Sequence, residues 1–319
     1  RDRLDSIQID AHITAQSVPH MFQYAPDSTF DIALQVKEKT FLCDIASSSG
    51  RVRIDGLAKG DLENPDIDAR VTASLQYEGL NGTAGVTGYY RNDSLNIRSL
   101  MIKTDGAVLE GHGIVSTATQ RIQARAQAKI ADIGLLNRFL QDSLPVSGTV
   151  AVTALVNGSL PDPRVSAEIA LNDITAFEEH ISSANFTFLY RAPRIELTDG
   201  WIQAERGVIT LAGSYDLLEH AYSASVHTDS LWVSMPSYFG GDMVPLTGIA
   251  SFQAQASGTV SHPQAEITLL LKDVVYDTIV PGDLHVHAVL AEQIFNLQAQ
   301  SVDGSIDLTA VLTLDETAM

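Results

Sequence analysis

The sequence is poor in cysteine, in basic residues and in aromatic side chains. Its one cysteine, Cys43, excludes an intramolecular disulfide and any metal site built from several cysteines. The 20 lysines and arginines face 39 aspartates and glutamates, which gives a formal net charge of −19, and no basic run occurs. Because nucleic acids and anionic bilayers are bound by clustered positive charge, neither is expected as a partner.

The sequence also lacks an apolar run that suits a transmembrane helix. Residues 243–265 carry no charge, but Gln253, Gln255 and two prolines argue against a membrane span there. The opening RDRLDSIQ has no apolar signal-peptide core, so we expect any leader or membrane anchor to lie outside this chain. With 45% hydrophobic and 18% charged residues, the composition predicts a folded protein and excludes a disordered one.

Motifs that carry catalysis are absent from the sequence. It contains no G-x-S-x-G elbow, no P-loop, no H-E-x-x-H and no G-x-G-x-x-G after a strand. The nearest glycine run, Gly82-x-x-Gly85-x-x-Gly88, lacks the lysine and the helix that phosphate binding requires. We therefore expect a protein that is not an enzyme and that holds no cofactor.

Two polar clusters are candidates for a metal site or an acid-base site. His285 and His287 lie two residues apart, share one face of an expected strand and could reach one metal ion, but no third ligand accompanies them. Glu178, Glu179 and His180 bring acid and base groups together, yet adjacent polar residues in an expected turn are typical of a solvated loop. We assign no catalytic residue and no metal site.

Glycines and prolines recur with a period near 100 residues. The pattern Gly-x9-Gly-x4-Pro occurs three times, and a later glycine introduces a similar strand in each copy. The positions are Gly50, Gly60, Pro65 and Gly106; Gly148, Gly158, Pro163 and Gly207; and Gly248, Gly258, Pro263 and Gly304. Asp173 and Asp273 match at the same offset. This predicts the tail of a preceding unit at 1–49, repeat units at 50–147 and 148–247, and a truncated unit at 248–319, within a longer array.

Each unit has the alternation of apolar and polar residues that is typical of strands half buried on one face. Asn-Gly and Asp-Gly pairs between the alternating segments predict tight hairpin turns and therefore antiparallel neighbours. These pairs are Asn81-Gly82, Asn157-Gly158, Asp199-Gly200 and Asp303-Gly304. Residues 131–142 place apolar side chains at helical spacing and predict one short helix or turn.

Two architectures fit such units: a continuous antiparallel ribbon, or a string of β-sandwich domains. Sandwich arrays need polar linkers and aromatic cores, whereas this chain has two tryptophans, 7% aromatic residues and no linker-like run. We predict an all-β fold: an elongated antiparallel β-ribbon curled into an open apolar groove, of the β-taco or solenoid type, with short helical segments between repeats. The sandwich array is the alternative.

A ribbon that is apolar on one face and curls on itself turns that face into a trough that suits acyl chains. The alternative is that the same residues pack a closed core. The predicted groove lining consists of alternating strand residues from several segments. It comprises Val150, Val152, Ala154, Val156, Phe186, Phe188, Ile195, Leu197, Leu284, Val286, Ile306 and Leu308.

One stretch of the sequence resembles a known family. The run LPVSGTVAVTALVNGSLPDPRVSAEIALNDITAF, followed by RIELTDGWIQAERGVITLAGSYD, is similar to the repeat of the translocation-and-assembly-module family TamB and its AsmA-like relatives. The shared features are a small-residue strand, a Gly-x4-Pro turn, an Asp-Gly hairpin and a glycine-led strand, and the resemblance covers roughly residues 40 to 319. It implies a U-shaped β-sheet groove in the periplasm of a bacterial envelope.

The resemblance also implies a function. Members of this family are anchored in the inner membrane, carry phospholipid towards the outer membrane and assist the assembly and secretion of outer-membrane and autotransporter proteins. We therefore expect phospholipid acyl chains as the bound partner and an inner-membrane anchor outside this chain. A barrel insertase of the outer membrane is expected as a partner through a region also outside this chain. The alternative function is an extracellular adhesive or structural array.

Overall fold

Antiparallel strands make up almost all of the structure. The computed structural model describes residues 6–15, 28–37, 40–47, 50–60, 65–77, 80–135, 145–176, 179–204, 206–235, 246–259, 261–276 and 279–313. Within these ranges the chain is all-β, with twenty strands and no α-helix. The chain divides into two compact units, formed by residues 1–135 with 151–163 and by residues 136–150 with 164–319.

The first unit contains nine strands, and each pairs antiparallel with the next strand in the chain. They are β1 (Ser6–Ala15), β2 (Ser28–Lys37), β3 (Thr40–Ser47), β4 (Gly50–Gly60), β5 (Pro65–Tyr77), β6 (Leu80–Arg91), β7 (Ser94–Thr104), β8 (Ala107–Ser116) and β9 (Arg121–Ile130). Strand β10 (Val146–Ser159) is shared: its residues up to Val150 belong to the second unit and the rest to the first.

The second unit contains ten further strands in the same consecutive antiparallel arrangement. They are β11 (Pro163–Ala176), β12 (Glu179–Arg191), β13 (Arg194–Ala204), β14 (Gly207–Asp216), β15 (Ala221–Met235), β16 (Leu246–Thr259), β17 (Pro263–Tyr276), β18 (Ile279–Ala291), β19 (Ile294–Ser301) and β20 (Asp307–Thr313).

The pairing order bears on the sandwich alternative. A sandwich would divide the strands of one unit between two facing sheets joined by Greek-key connections. In each unit the strands described above instead form one open meander, in which every strand neighbours the strands that precede and follow it. The predicted all-β, antiparallel fold class is therefore confirmed.

Strand register separates the side chains of each unit onto an apolar face and a polar face. In the first unit one row of directly opposed residues runs across six strands as Ile54, Val71, Val86, Leu100, Gly111 and Ala126. The adjacent row, on the opposite face, runs as Leu42, Asp55, Arg70, Thr87 and Ser99. Because side chains alternate along a strand, the two-residue sequence pattern produces these two faces directly.

Three of the four dipeptides predicted as hairpin turns were assigned wrongly. Asn81-Gly82, Asn157-Gly158 and Asp199-Gly200 lie inside β6, β10 and β13, respectively. The β13 pair adjoins a bulge, and Gly158 has a φ of 112° near the end of β10. Bulges and irregular strand ends favour the same residue types as turns, which explains the error. Asp303-Gly304 does lie in the turn between β19 and β20.

The observed tight turns repeat every 100 residues. Asn92-Asp93 and Glu292-Gln293 each connect two strands with positive φ at both residues, from 49° to 63°, as in a type I′ hairpin. Ala192-Pro193, which has a cis peptide bond, occupies the corresponding position between β12 and β13. The sequence period therefore recurs in the backbone.

The repeated glycines and aspartates meet at kinks in the sheet. Asp173 and Asp273 both adopt a φ of 52° within β11 and β17. A Cβ on Gly148 would lie 2.7 Å from the carbonyl oxygen of Asp173, and one on Gly248 would lie 3.0 Å from that of Lys272. Glycine at these two positions thus permits a backbone approach that any side chain would prevent.

Helical structure is limited to one short segment of the described chain. In the predicted helix at 131–142, Ile133–Leu135 form a single 3₁₀ turn, with the Gly134 amide donating to Asp132 Oδ1 at 2.9 Å. Residues 136–142 lie outside the described residues. No described helix has the length and hydropathy needed to cross a membrane.

The loop between β19 and β20 is organised by one carboxylate. Asp303 Oδ1 accepts hydrogen bonds from the Ser301 hydroxyl at 2.6 Å and from the amide and hydroxyl of Ser305 at 3.0 and 2.7 Å. These bonds, with that of Ser301 the largest, lower the pKa of Asp303 to about 2. The loop is thereby tied to the buried end of β19 at Ser301.

This shift predicts how acid affects the loop. An unfolded aspartate titrates near about 3.9, so the carboxylate stabilises the fold above that pH and loses its contribution as pH falls towards about 2. We expect the difference in urea midpoint between the wild type and Asp303→Asn to be largest near neutral pH and to shrink steadily from about pH 5 to about pH 2. A difference that does not change with pH would contradict the assignment.

Candidate functional site

The candidate site is the apolar face of the sheet. The structure places the predicted lining residues on five strands and one loop end: Val150, Val152, Ala154 and Val156 on β10, Phe186 and Phe188 on β12, Ile195 and Leu197 on β13, Leu284 and Val286 on β18, Leu308 on β20, and Ile306 directly before β20. On β10 they occupy alternate positions and so share one face. Val152, Ala154 and Val156 belong to the first unit and Val150 to the second.

Register brings the lining residues of the second unit together. Phe188 lies opposite Leu197, Leu284 opposite Leu271, and Leu308 opposite Ala299. One apolar row crosses all ten strands as Ile169, Phe186, Gly200, Leu211, Val226, Ala254, Ile267, Ala288, Leu297 and Ala310. The face is therefore continuous from β11 to β20, with apolar residues or glycine at every step of this row.

Most of the apolar face is only half-buried. Among the predicted lining residues Val150 is buried at 8% exposure, whereas Ile195 and Leu308 are 37% and 50% exposed. The deepest cluster is small and consists of Ala250, Leu271 and Val274. A sheet that packed this face against a second layer would bury most of it, so the intermediate burial means that much of this apolar surface faces open space.

Apart from Val152, Ala154 and Val156 on β10, the predicted lining includes no residue of the apolar face of the first unit. This face carries Leu95, Ile97, Leu100 and Ile102 on β7, and these oppose Val115, Gly113, Gly111 and Leu109 on β8. The signal was present, because β9 reads RIQARAQAKI with half-buried residues at every second position. Its apolar positions are largely alanines, which give a weaker contrast with the polar positions than larger apolar residues do.

Small residues form part of this first-unit face. Gly113 lies opposite Ala124, and a Cβ on Gly113 would approach the Ala124 Cβ to 2.7 Å and the Gln123 carbonyl oxygen to 2.9 Å. The neighbouring pair, Gly111 and Ala126, is similarly small. On β8 and β9 these positions carry only the methyl group of alanine or the hydrogen of glycine. The surface is therefore lower here than over the larger side chains of β7.

β-bulges interrupt the ladders in both units. Register shifts occur within β7 between Ile97 and Leu100, within β13 between Leu197 and Gly200, and within β15 between Thr228 and Leu231. A bulge bends its strand and increases the local twist. Each unit therefore contains the devices by which a sheet acquires curvature.

Polar chemistry is nearly absent from the apolar face. The buried hydroxyl of Thr228 donates to the Val208 carbonyl oxygen at 2.7 Å, and Ser301 is engaged by Asp303. Among the described residues no buried side-chain nitrogen or oxygen lacks a hydrogen-bond partner. The face thus offers shape and apolar area, and among the described residues no buried polar atom on it is left without a partner to orient a substrate.

The polar clusters weighed in the sequence lie elsewhere. His285 and His287 are exposed on the polar face of β18, where His287 Nε2 lies 3.1 Å from Glu266 Oε1. His180 is exposed on β12, and Glu178 lies outside the described residues. Within the described ranges no three histidine, cysteine, aspartate or glutamate side chains are placed to hold a metal ion.

Comparisons of this chain with known proteins identified no related protein. A scan against protein-family models, a search of curated proteins and a search of solved structures each gave no match.

Proposed function

We propose that this chain is a non-enzymatic lipid-carrying segment of a bacterial cell envelope, part of a TamB- or AsmA-like bridge. In this proposal the sheet curls into a groove, with short helical segments between repeats, and phospholipid acyl chains lie along its apolar face. The bridge works in the periplasm, delivers phospholipid between the inner and outer membranes and assists outer-membrane and autotransporter protein assembly. Its membrane anchor and its contact with a barrel insertase belong to regions outside this chain.

One observation carries the proposal: the apolar face is continuous along each meander and is only half-buried. A soluble protein rarely leaves so much connected apolar surface exposed unless something binds there. The described part of the face is built mainly of apolar residues and glycine and has no buried polar atom without a partner, which suits a ligand without polar features. Acyl chains meet this description, and each buried methylene stabilises binding by about 0.8 kcal/mol.

The dimensions are compatible with lipid. A bilayer core of about 30 Å gives about 15 Å for one acyl chain, and paired strands lie about 4.8 Å apart. A chain that crosses the strands therefore covers about three of them. The ten-strand row of the second unit has room for more than one acyl chain.

The test compares neighbouring residues on opposite faces. Ile102 and Met101 on β7 are 36% and 39% exposed and point to the apolar and the polar face, respectively. We expect Ile102→Glu to remove at least about half of the copurified phospholipid, because a carboxylate on the face repels acyl chains. Met101→Glu should leave the lipid content unchanged. Native mass spectrometry with lipid extraction of the purified chain measures both.

A second pair and a second readout guard against simple unfolding. Phe188→Glu and Leu189→Glu repeat the comparison on β12, with circular dichroism as the check of fold. Cys43 lies on the apolar face of β3, opposite Ile54, and is the sole thiol. Its reaction with a maleimide should accelerate when lipid is extracted and slow when phospholipid is restored. The proposal is wrong if the wild-type protein purifies without phospholipid, or if both variants of each pair lose the same amount of lipid.

A further inference from the structure

The polar face of the first unit contains a cationic stripe that the linear sequence hides. Arg121, Arg125 and Lys129 alternate with Gln123 and Gln127 on β9, and register places all five on the polar face, where all are exposed. Successive cations are four residues apart, which is about 13 Å along an extended strand. The three charges therefore form a straight row.

The strands beside the stripe carry one carboxylate against further basic side chains, so the stripe keeps a net positive charge. His112 lies directly opposite Arg125, and Lys103 and Lys129 flank Val108 in a single cross-strand row. Glu110 is the sole carboxylate on β7, β8 and β9 and lies opposite Gln127, between the rows of Arg125 and Lys129, whereas β10 has no charged residue. Among the described residues, neither Arg121, Arg125 nor Lys129 takes part in an ion pair. This local charge opposes the net charge of −19 carried by the whole chain.

We infer that the cationic stripe docks an extended acidic segment of a partner protein, with carboxylates at every fourth residue. A strand or sheet that packs face to face lies about 10 Å away, a gap that an arginine or lysine and a facing glutamate span together. Guanidinium groups bind carboxylates in a bidentate manner, and Gln123 and Gln127 supply donors and acceptors between them.

Two other anionic partners fit the stripe less well. Single-stranded nucleic acid is bound by stacking bases on aromatic rings, and β7, β8 and β9 contain no phenylalanine, tyrosine or tryptophan. A membrane surface is engaged by cations flanked by large apolar anchors, whereas the stripe is interleaved with glutamines. The regular spacing in one line favours a partner with its own strand periodicity.

The experiment measures binding of a fluorescent peptide, in which Glu-Thr-Ser-Thr is repeated four times, to the full chain by anisotropy at low ionic strength. We expect the triple variant Arg121→Gln/Arg125→Gln/Lys129→Gln to raise the Kd by about tenfold, because three exposed ion pairs are lost. The triple variant Arg164→Gln/Arg191→Gln/Lys272→Gln removes the same charge from exposed positions of the second unit and should change the Kd by about twofold or less.

Peptide controls test the charge and the spacing. A peptide with glutamine in place of glutamate should not bind, and one with glutamates at every third position should bind more weakly. Arg125→Gln alone should weaken binding by about threefold and serves if the triple variant does not fold. The inference is overturned by absent binding, by equal losses in both triple variants, or by phosphatidylglycerol vesicles that bind through the stripe more tightly than the peptide.

Discussion

Val274→Asp should unfold the second unit at a much lower urea concentration than the wild type. Val274 is 2% exposed and packs with Ala250 and Leu271 in the deepest cluster of the described chain. An unpaired carboxylate in that position loses its hydration without gaining a partner, and it replaces the apolar contacts that the valine methyl groups make. Together these effects cost about 3 to 5 kcal/mol.

The control for this variant is the next residue. Val275 is 40% exposed on the other side of the same strand, and Val275→Asp should change stability by about 0.5 to 1 kcal/mol. Both tryptophans, Trp201 and Trp232, lie in the second unit, so their fluorescence reports its unfolding. Similar midpoints for the two variants would mean that the apolar cluster does not support the unit.

Gly148→Ala is expected to be the second most damaging of the changes considered. The residue has a φ of 128°, and a Cβ there would lie 2.5 Å from Ile174 Cδ1 and 2.7 Å from the Asp173 carbonyl oxygen. Backbone strain and overlap add, and we expect a loss of about 2 to 4 kcal/mol in the free energy of unfolding. The same fluorescence measurement detects it.

Two further glycine-to-alanine changes separate the causes. Gly304 has a φ of 75° but open space around its Cβ position, so Gly304→Ala should cost about 1 kcal/mol from strain alone. Gly85 has open space and no positive φ, so Gly85→Ala should be neutral or slightly stabilising, which circular dichroism can follow. An order other than Gly148, Gly304, Gly85 in decreasing cost would contradict this account.

The repeated glycines and aspartates correspond to a structural feature, the close approach of two strands. The recurrence of Gly148 with Gly248, and of Asp173 with Asp273, was visible in the sequence as matching letters. The structure supplies the reason, because each aspartate kinks its strand and each glycine lets the facing backbone come close. No pattern of single residues could have paired them, since the contact joins two different strands.

The cationic stripe, by contrast, is a feature that the sequence analysis did not find. The sequence has no run of consecutive lysines and arginines, and by that criterion it predicts no basic cluster. Strand geometry selects every second residue for one face, so Arg121, Arg125 and Lys129 come together although they are four residues apart. A search for periodic charge at strand spacing would have found them.

Antiparallel strands with one apolar face follow from the sequence pattern, because alternation with a period of two is a local property that each strand expresses alone. The prolines of the repeated Gly-x4-Pro pattern, Pro65, Pro163 and Pro263, are each the first residue of a strand in the structure. The folded arrangement was needed to show which Asn-Gly and Asp-Gly pairs turn the chain, which residues lie deepest and which charges share a face. These outcomes depend on register between strands, and register is set by the joint packing of residues that are distant in sequence.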